Sequence, residues 1–544
     1  MFLGIWKYVK KEWRLNMIVL LIDVVGATCT TLFGLGAANI LTAVVKRQLS
    51  IVLIWFAILA ATSLVWAVQI VLHERMLTSA IQKMDADIRD NMTERLIAAG
   101  YAGFHQHNPS VYISWMTNDI GTINDYGFFC LEMAALQAIT IAMSIATIVH
   151  FHYSMIATIV VLLVIMYFVP KAFTKKMNQA ALSATKTAET ATKIISDFLS
   201  GFDDLLMLNL QKQITTAVNH ASTTLREARV KQATANGTMM GASNLSSLLS
   251  QTVVRAQAVL LYLWKLAPIG GISAASYFSA TIFSSTTGML ANLMEVKTTK
   301  PVFEKYMALI PEATIAPQDQ IDITDQPAAI KFEHVDFRYE SSLILDDCSF
   351  ELPAGRKLIL VGDSGTGKTT VLDLIAKKIR PTQGTLRYGS VAYNHIVATQ
   401  LRDQLIYINQ KPHLFNDTLR FNITLGSAIP DEDLLAAIEV SGLAPLIDNL
   451  SAGLETVISE NGSDLSGGQV QRVALARGLA QKKHVWLIDE ATSSLDPEST
   501  RDIEDRLMAL DKVTMLVVSH HASERLRQQA DQVVELVDGK VQSV

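Results

Sequence analysis

The chain has 544 residues and a net charge of −5, room for three or four units at roughly 150 residues each. Asp, Glu, Lys and Arg make up only 18% of it, against about 25% in an average soluble protein. The deficit lies in residues 1–325, with 45 charged residues or about 14%, whereas the remaining 219 hold 52 or about 24%; a uniform soluble enzyme, a disordered chain and a basic nucleic-acid binder are all disfavoured.

Four basic residues, Lys7, Lys10, Lys11 and Arg14, open the chain. Residues 17–45 then carry one charge, Asp23, and residues 49–72 carry none; about 20 apolar residues suffice to cross the hydrocarbon core. Asp23 costs about 2.5 to 3.5 kcal/mol at a span centre, but the Ile, Leu, Val and Phe around it return about 4 to 8 kcal/mol together, so the first segment still inserts. It is too long for the apolar region of a cleaved signal peptide.

Residues 133–170 lack Lys, Arg, Asp and Glu altogether and are broken near the middle by His150-Phe-His-Tyr153, which predicts a hairpin of two spans, 130–150 and 153–170. Two further spans, 236–264 and 266–294, are rich in Ser, Thr and Gly, residues that let membrane helices pack closely. Arg255 interrupts the first of them. Asp23 and Arg255 are candidates for a substrate cavity or an intramembrane ion pair, against the plainer reading that each satisfies a neighbouring helix or sits near an interface.

Basic residues follow the second, fourth and sixth spans (Arg75, Lys83, Arg89 and Arg95; Lys171, Lys175 and Lys176; Lys297, Lys300 and Lys305) and are nearly absent from the opposite loops, so both termini are expected in the cytoplasm of a multi-pass cell-membrane protein. The long inner connections, about 73–130 and 171–235, predict helices that continue beyond the bilayer. Residues 1–309 thus read as a membrane domain of six spans, 310–329 as a linker with Pro311, Pro317 and Pro327, and 330–544 as a second domain. Cys29, Cys130 and Cys348 have neither disulfide nor zinc-site spacing.

In the second domain short apolar strands alternate with helical stretches, an α/β pattern. The strand Lys357-Leu-Ile-Leu-Val361 runs into Gly362, Asp363, Ser364, Gly365, Thr366, Gly367, Lys368 and Thr369, then Thr370 and an apolar helix. This is a phosphate-binding P-loop in its strand-to-helix setting. Backbone N–H groups face phosphate oxygens, Lys368 reaches the outer phosphates and Thr369 can ligate Mg²⁺. About 120 residues on, Val485-Trp-Leu-Ile488 ends in Asp489-Glu490; one acid can hold the metal and the other can activate water.

Between them stands Leu465-Ser466-Gly467-Gly468-Gln469, and with this signature the chain resembles the ATP-binding cassette (ABC) transporters. The resemblance implies that Tyr339 stacks on adenine, that Gln410 links the γ-phosphate and metal site to the membrane domain, and that Asp489 is a metal-associated acid. It makes Glu490 the catalytic base, Ser494-Leu495-Asp496 the D-loop and His520 the switch histidine, with His521 a bystander. Glu460 and Gly462 resemble the exporter X-loop, with Asn461 where an arginine is usual.

The order of membrane domain and cassette is that of exporter-type half-transporters: an α-helical transmembrane bundle plus an α/β P-loop NTPase domain with a helical signature subdomain, using ATP and Mg²⁺. In that family ATP is held between the P-loop of one chain and Ser466, Gly467, Gly468 and Gln469 of another, so a second half-transporter chain, the same or different, is implied. Coupling helices are expected near 108–115 and 198–207. The cargo is a small molecule, lipid or peptide, exported; an importer on the same scaffold and a membrane-anchored regulatory ATPase are the alternatives. No nucleic-acid partner is expected.

Overall fold

A computed structural model describes residues 3–308, 319–323, 328–339, 342–490, 492, 495–520 and 522–543. They divide into two compact units, Met1–Leu96 with His107–Leu309, and Ile97–Gln106 with Ile310–Val544.

The first unit is helical, its long helices being Trp13–Val45, Leu49–Ala98, Phe129–Phe151, Ser154–Ser200, Lys212–Leu263 and Gly270–Thr298. Phe129–Phe151 continues a helical run from Pro109 that passes through two π-helical turns, Trp115–Asp119 and Asn124–Phe128. Between Phe151 and Ser154 the chain reverses at His152, which is extended. Its Nδ1 accepts the Ser154 backbone N–H at 3.2 Å, satisfying one of the donors a helix start leaves open.

Four stretches, within Trp13–Val45, Leu49–Ala98, Pro109–Phe151 and Ser154–Ser200, are long and apolar enough to cross a membrane. Ile148, Met155, Ile159, Val254, Phe278, Ile282 and Phe283 pack into an interior, while Leu21, Ile54, Phe56, Leu64, Val161 and Phe168 face outward. Apolar on both sides, such helices suit a lipid surround, because each helix satisfies its own backbone polar groups. Lys212–Leu263 and Gly270–Thr298 have the length but a more polar composition. They bury Ser243, Ser247, Ser250 and Ser279, the small polar side chains on which membrane helices pack.

The second unit holds two sheets. The antiparallel one runs Ser342–Leu352, Ile330–Tyr339, Gln383–Tyr388, Val391–Ala392. The six-stranded one runs Lys540–Ser543, Gln532–Val537, Lys357–Val361, Thr514–Ser519, Val485–Asp489, Leu405–Ile408. All its pairings are parallel except that of Lys540–Ser543.

Its strands read as unbroken apolar runs because both faces are buried. Leu358, Leu360, Leu487, Leu516 and Val518 enter one core. Ile359, Val361, Trp486, Ile488, Met515 and Val517 enter the other. A helical layer around Leu414, Leu419, Ile423, Leu434, Ile438, Val473 and Ala476 forms a third cluster and carries the helix Gly467–Ala480.

Candidate functional site at the strand ends of the nucleotide unit

Parallel register decides which side chains meet. Val361 pairs with Ser519, Val518 with Asp489, and Ile488 with Ile408. The residues just beyond these strand ends therefore emerge side by side, where ligands bind in open parallel sheets: the P-loop after Val361, His520 after Ser519, Asp489 and Glu490, and Gln410 two residues past Ile408.

The loop Gly362–Thr369 joins its strand to the helix Lys368–Ile375. Gly367 has φ 103°, and a Cβ there would stand 2.8 Å from the Cγ2 of Ile344, so only glycine turns the chain at that point. Asp363, Ser364, Gly365 and Thr369 are exposed, Gly362, Thr366 and Gly367 are half-buried, and Lys368 and Thr370 are buried.

Lys368 Nζ donates to the carbonyls of Gly362 at 2.8 Å and Asp363 at 2.7 Å, and stands 3.2 Å from His520 Nδ1. Burial lowers its pKa from the ordinary lysine value, against the opposing pull of Glu490, Asp489 and Asp363. A cation held by two loop carbonyls beside His520 can exchange the carbonyls for phosphate oxygens, to which it hydrogen-bonds more strongly.

The acids converge from the other side. Glu490 Oε1 lies 2.8 Å from His520 Nε2, and Glu490 Oε2 accepts from Gln410 Nε2 at 3.3 Å. Glu490 has φ 48°, a left-handed conformation uncommon for a non-glycine residue and concentrated at functional sites. Burial raises the pKa of Asp489, whose carboxylate accepts hydrogen bonds from Thr369 and Tyr407, the latter at 3.3 Å. A half-buried carboxylate met directly by two neutral hydroxyls fits a cation bound between Asp489 and Thr369.

Ser466 caps the helix Gly467–Ala480 in a reciprocal capping box with Gln469. Ser466 and Gly467 are exposed, and among the described residues no hydrogen bond joins the signature to the P-loop. The structure thus brings Lys368, Thr369, Asp489, Glu490, His520 and Gln410 together and leaves Ser466 to Gln469 as a separate helix start, exposed at Ser466 and Gly467 and buried at Gly468. Tyr339 ends its strand half-exposed, edge-on to Phe337. Ser494 and His521 lie outside the described residues, as do the side chain of Glu460 and most of 310–329; Asp496 accepts from the N–H groups of Glu498 and Ser499 and caps the helix Pro497–Met508.

Three further residues serve this site without a motif to announce them. Tyr407 donates to Asp489, Gln471 Nε2 donates to the Gln410 carbonyl at 2.8 Å, and Lys378 lies 3.5 Å from the Tyr407 ring centroid. Lys378 also faces the ring of Tyr101 at 5.3 Å, in the short helix Gly100–Phe104. The segment belonging to this unit is thus 97–106, N-terminal to the expected 108–115, which forms the separate helix Pro109–Ser114. The second expected position holds the short helix Phe202–Met207.

In the membrane unit, the ionic neighbour of Asp23 is His73 at 3.1 Å. Arg255 instead hydrogen-bonds Gln251, one turn earlier, at 3.5 Å.

A P-loop, paired acids and a histidine on a parallel sheet, following a bundle of apolar helices, define a nucleotide-triphosphatase built into a multi-pass membrane protein. Residues 345–493 match the family model of the ABC transporter and residues 16–286 that of the ABC transporter transmembrane region. The chain belongs to the ABC transporters, as a half-transporter of the exporter type that binds ATP and couples its hydrolysis to transport across the membrane.

Among its relatives is the ATP-dependent lipid A-core flippase of Albidiferax ferrireducens, 25% identical over 478 residues, 86% of this chain and 81% of the relative. The protein of the same name in Chromobacterium violaceum is 26% identical over 467 residues, 84% and 78% of the two chains. A solved structure, a bacterial Atm1-family ABC exporter with ATP bound, superposes with a TM-score of 0.84 at 20% identity, over 97% of this chain and 94% of the other; it shows the shared fold.

Proposed function

We propose that two copies of this chain form an exporter that moves a lipid-like amphipath out of the cytoplasmic leaflet, each ATP lying between the P-loop of one copy and Ser466, Gly467, Gly468 and Gln469 of the other. The observation that carries this reading is the split within one chain: Lys368, Glu490, His520 and Gln410 assemble at the strand ends, while the signature helix start is exposed and separate. Because one chain carries every element, two copies supply two complete sites.

Within each site Tyr339 stacks on adenine, the N–H groups of Gly362 to Thr370 surround the phosphates, and Lys368 leaves the Gly362 and Asp363 carbonyls for the outer phosphates. Glu490, held by His520 and Gln410, accepts a proton from the attacking water, and His520 turns toward the γ-phosphate. Thr369, Asp489 and Gln410 are the residues that would hold Mg²⁺, which neutralises phosphate charge. ATP bound by both copies favours the closed pair, and loss of the γ-phosphate removes that differential affinity.

Residues 1–309 form the membrane domain with six spans, 310–329 the linker and 330–544 the cassette. The basic residues beside the even-numbered spans favour a cytoplasmic cassette and termini. The lipid-like cargo rests on the flippase relatives and on the broad apolar faces of the helices. Proteoliposomes with outward-facing cassettes and a fluorescent lipid in the outer leaflet test it: ATP should deplete the accessible probe, and Glu490→Gln should abolish the depletion. Intact ATPase with no depletion of any amphipath or lipid would refute the export reading.

A further inference from the structure

Three ionisable side chains in the membrane unit take no part in the nucleotide chemistry. Asp23 stands near the start of the first span, His73 just past the end of the second and Glu132 near the start of the third, so the three helices meet on the same side of the bundle. Asp23 is fully buried and Glu132 is 8% exposed. His73 Nε2 lies 3.1 Å from Asp23 Oδ1 and 3.1 Å from Glu132 Oε1, and one donor atom from each residue lies within 4.8 Å of the other two.

The hydrogen bonding does not close. One imidazole nitrogen carries at most one hydrogen, and here it faces two acids. The imidazole hydrogen bond goes to Glu132; apart from the contact between the two carboxyls themselves, neither oxygen of Asp23 nor Oε2 of Glu132 has a hydrogen-bond partner among the described residues. Buried polar atoms are nearly always satisfied, so a carboxylate buried this completely and aimed at two other donors marks a missing partner. A proton relay would place its acids on opposite ring nitrogens. Both acids here converge on the same nitrogen, as ligands of a shared cation do.

We propose that Asp23, His73 and Glu132 bind one divalent transition-metal ion of the zinc class, which fastens the first three membrane helices together. Two carboxylates and a neutral imidazole carry a charge that a divalent ion cancels, the condition under which such a group is tolerated at membrane depth. Ligands about 2.0 to 2.2 Å from a tetrahedral ion stand roughly 3.3 to 3.6 Å apart, close to the 3.1 Å separations found.

One nitrogen and two oxygens suit zinc or manganese rather than calcium, which takes six to eight oxygens. Gln69, one turn before His73, donates to the Ile22 carbonyl at 3.3 Å and fixes the first two helices beside the cluster. Glu132 also lines a cavity of about 320 Å³ with Trp6, Trp13, Met17 and Leu20, so the cluster borders open space.

The test uses the full-length protein in detergent, free of nucleotide and polyhistidine tag and stripped with chelator. An Asp489→Asn background keeps the nucleotide site out of the count. Zn²⁺ is measured by equilibrium dialysis with elemental analysis, and Co²⁺ by its visible ligand-field absorption. One ion per chain is expected, with a chelator-reversible rise in the thermal midpoint, and affinity at least tenfold weaker in Asp23→Asn and Glu132→Gln. Should the variants fail to fold, the unsubstituted triad still decides: no stoichiometric uptake and no shift in midpoint would mean that protons alone satisfy the cluster and would overturn the proposal. Variants that fold and bind as tightly as the parent would overturn it too.

Discussion

Each unit sets a pair of acids beside a histidine, half-buried in the nucleotide unit and buried in the membrane unit, and the two clusters are built in opposite ways. In the nucleotide unit Asp489 ends a strand and Glu490 follows it directly, and parallel register delivers His520 and Gln410 to them. In the membrane unit Asp23 and Glu132 are 109 residues apart, on different helices, with His73 on a third. The contrast teaches that a sheet aligns chemistry through its hydrogen-bond ladder, so local motifs suffice to find it. A helical bundle brings residues together through packing alone, which no local spacing encodes.

The largest effect separates the roles within the first cluster. Glu490→Gln keeps a hydrogen-bonding side chain beside His520 and Gln410 but removes the proton acceptor; phosphate release should fall between about a hundredfold and ten-thousandfold. ATP affinity, read by equilibrium binding, should stay within a few-fold. If hydrolysis persists at near the parent rate, the base lies elsewhere.

Next in size comes a comparison of the two interiors. Trp486 is 1% exposed and Phe278 is fully buried, each among apolar neighbours. Trp486→Ala should cost the cassette about 3 to 5 kcal/mol. Phe278→Ala should cost the bundle less, because helices surrounded by lipid lack the water-driven part of burial. Hydrogen exchange resolved by segment on the full chain would show it, and equal or reversed costs would break the comparison.

A smaller effect is expected at the rim. Tyr339 makes one aromatic contact within its sheet and is otherwise half-exposed. Removing a stacking partner worth about 0.5 to 1.5 kcal/mol in Tyr339→Ala should raise the KM for ATP about two- to twelvefold and leave kcat unchanged. A fall in kcat with KM unmoved would take Tyr339 out of the base-binding position.

Much of the nucleotide site was legible because its residues sit at fixed offsets from apolar strands. Val361 announces the P-loop, and Ile488 announces Asp489. Tyr407 was not legible, since its tie to Asp489 depends on strand Leu405–Ile408 lying beside Val485–Asp489, a neighbour relation that strand order in the chain does not give. Gln471 was hidden in a helix read only for its first turn.

In the membrane unit the hairpin at His150 to Tyr153 was visible as polar residues interrupting an apolar run. Asp23 stood out as a lone charge, but His73 just past one span and Glu132 near the start of another look like ordinary interfacial residues until the helices are packed. Segment 97–106 clusters with the nucleotide unit through contacts such as that of Tyr101 with Lys378, which no local spacing encodes.

The sharing of each ATP between two chains is tested most directly by complementation. Lys368→Ala removes the phosphate ligand and leaves the signature intact; Gly468→Asp blocks the signature, where a Cβ already meets the Ser499 hydroxyl at 3.1 Å, and leaves the P-loop intact. Each variant alone should show background ATPase. Co-expressed and purified as the mixed pair through two different affinity tags, they retain one intact P-loop facing one intact signature, and hydrolysis should return to a substantial fraction of the parent rate. A mixed pair as inactive as either variant, or a Gly468→Asp protein fully active alone, would contradict the shared site.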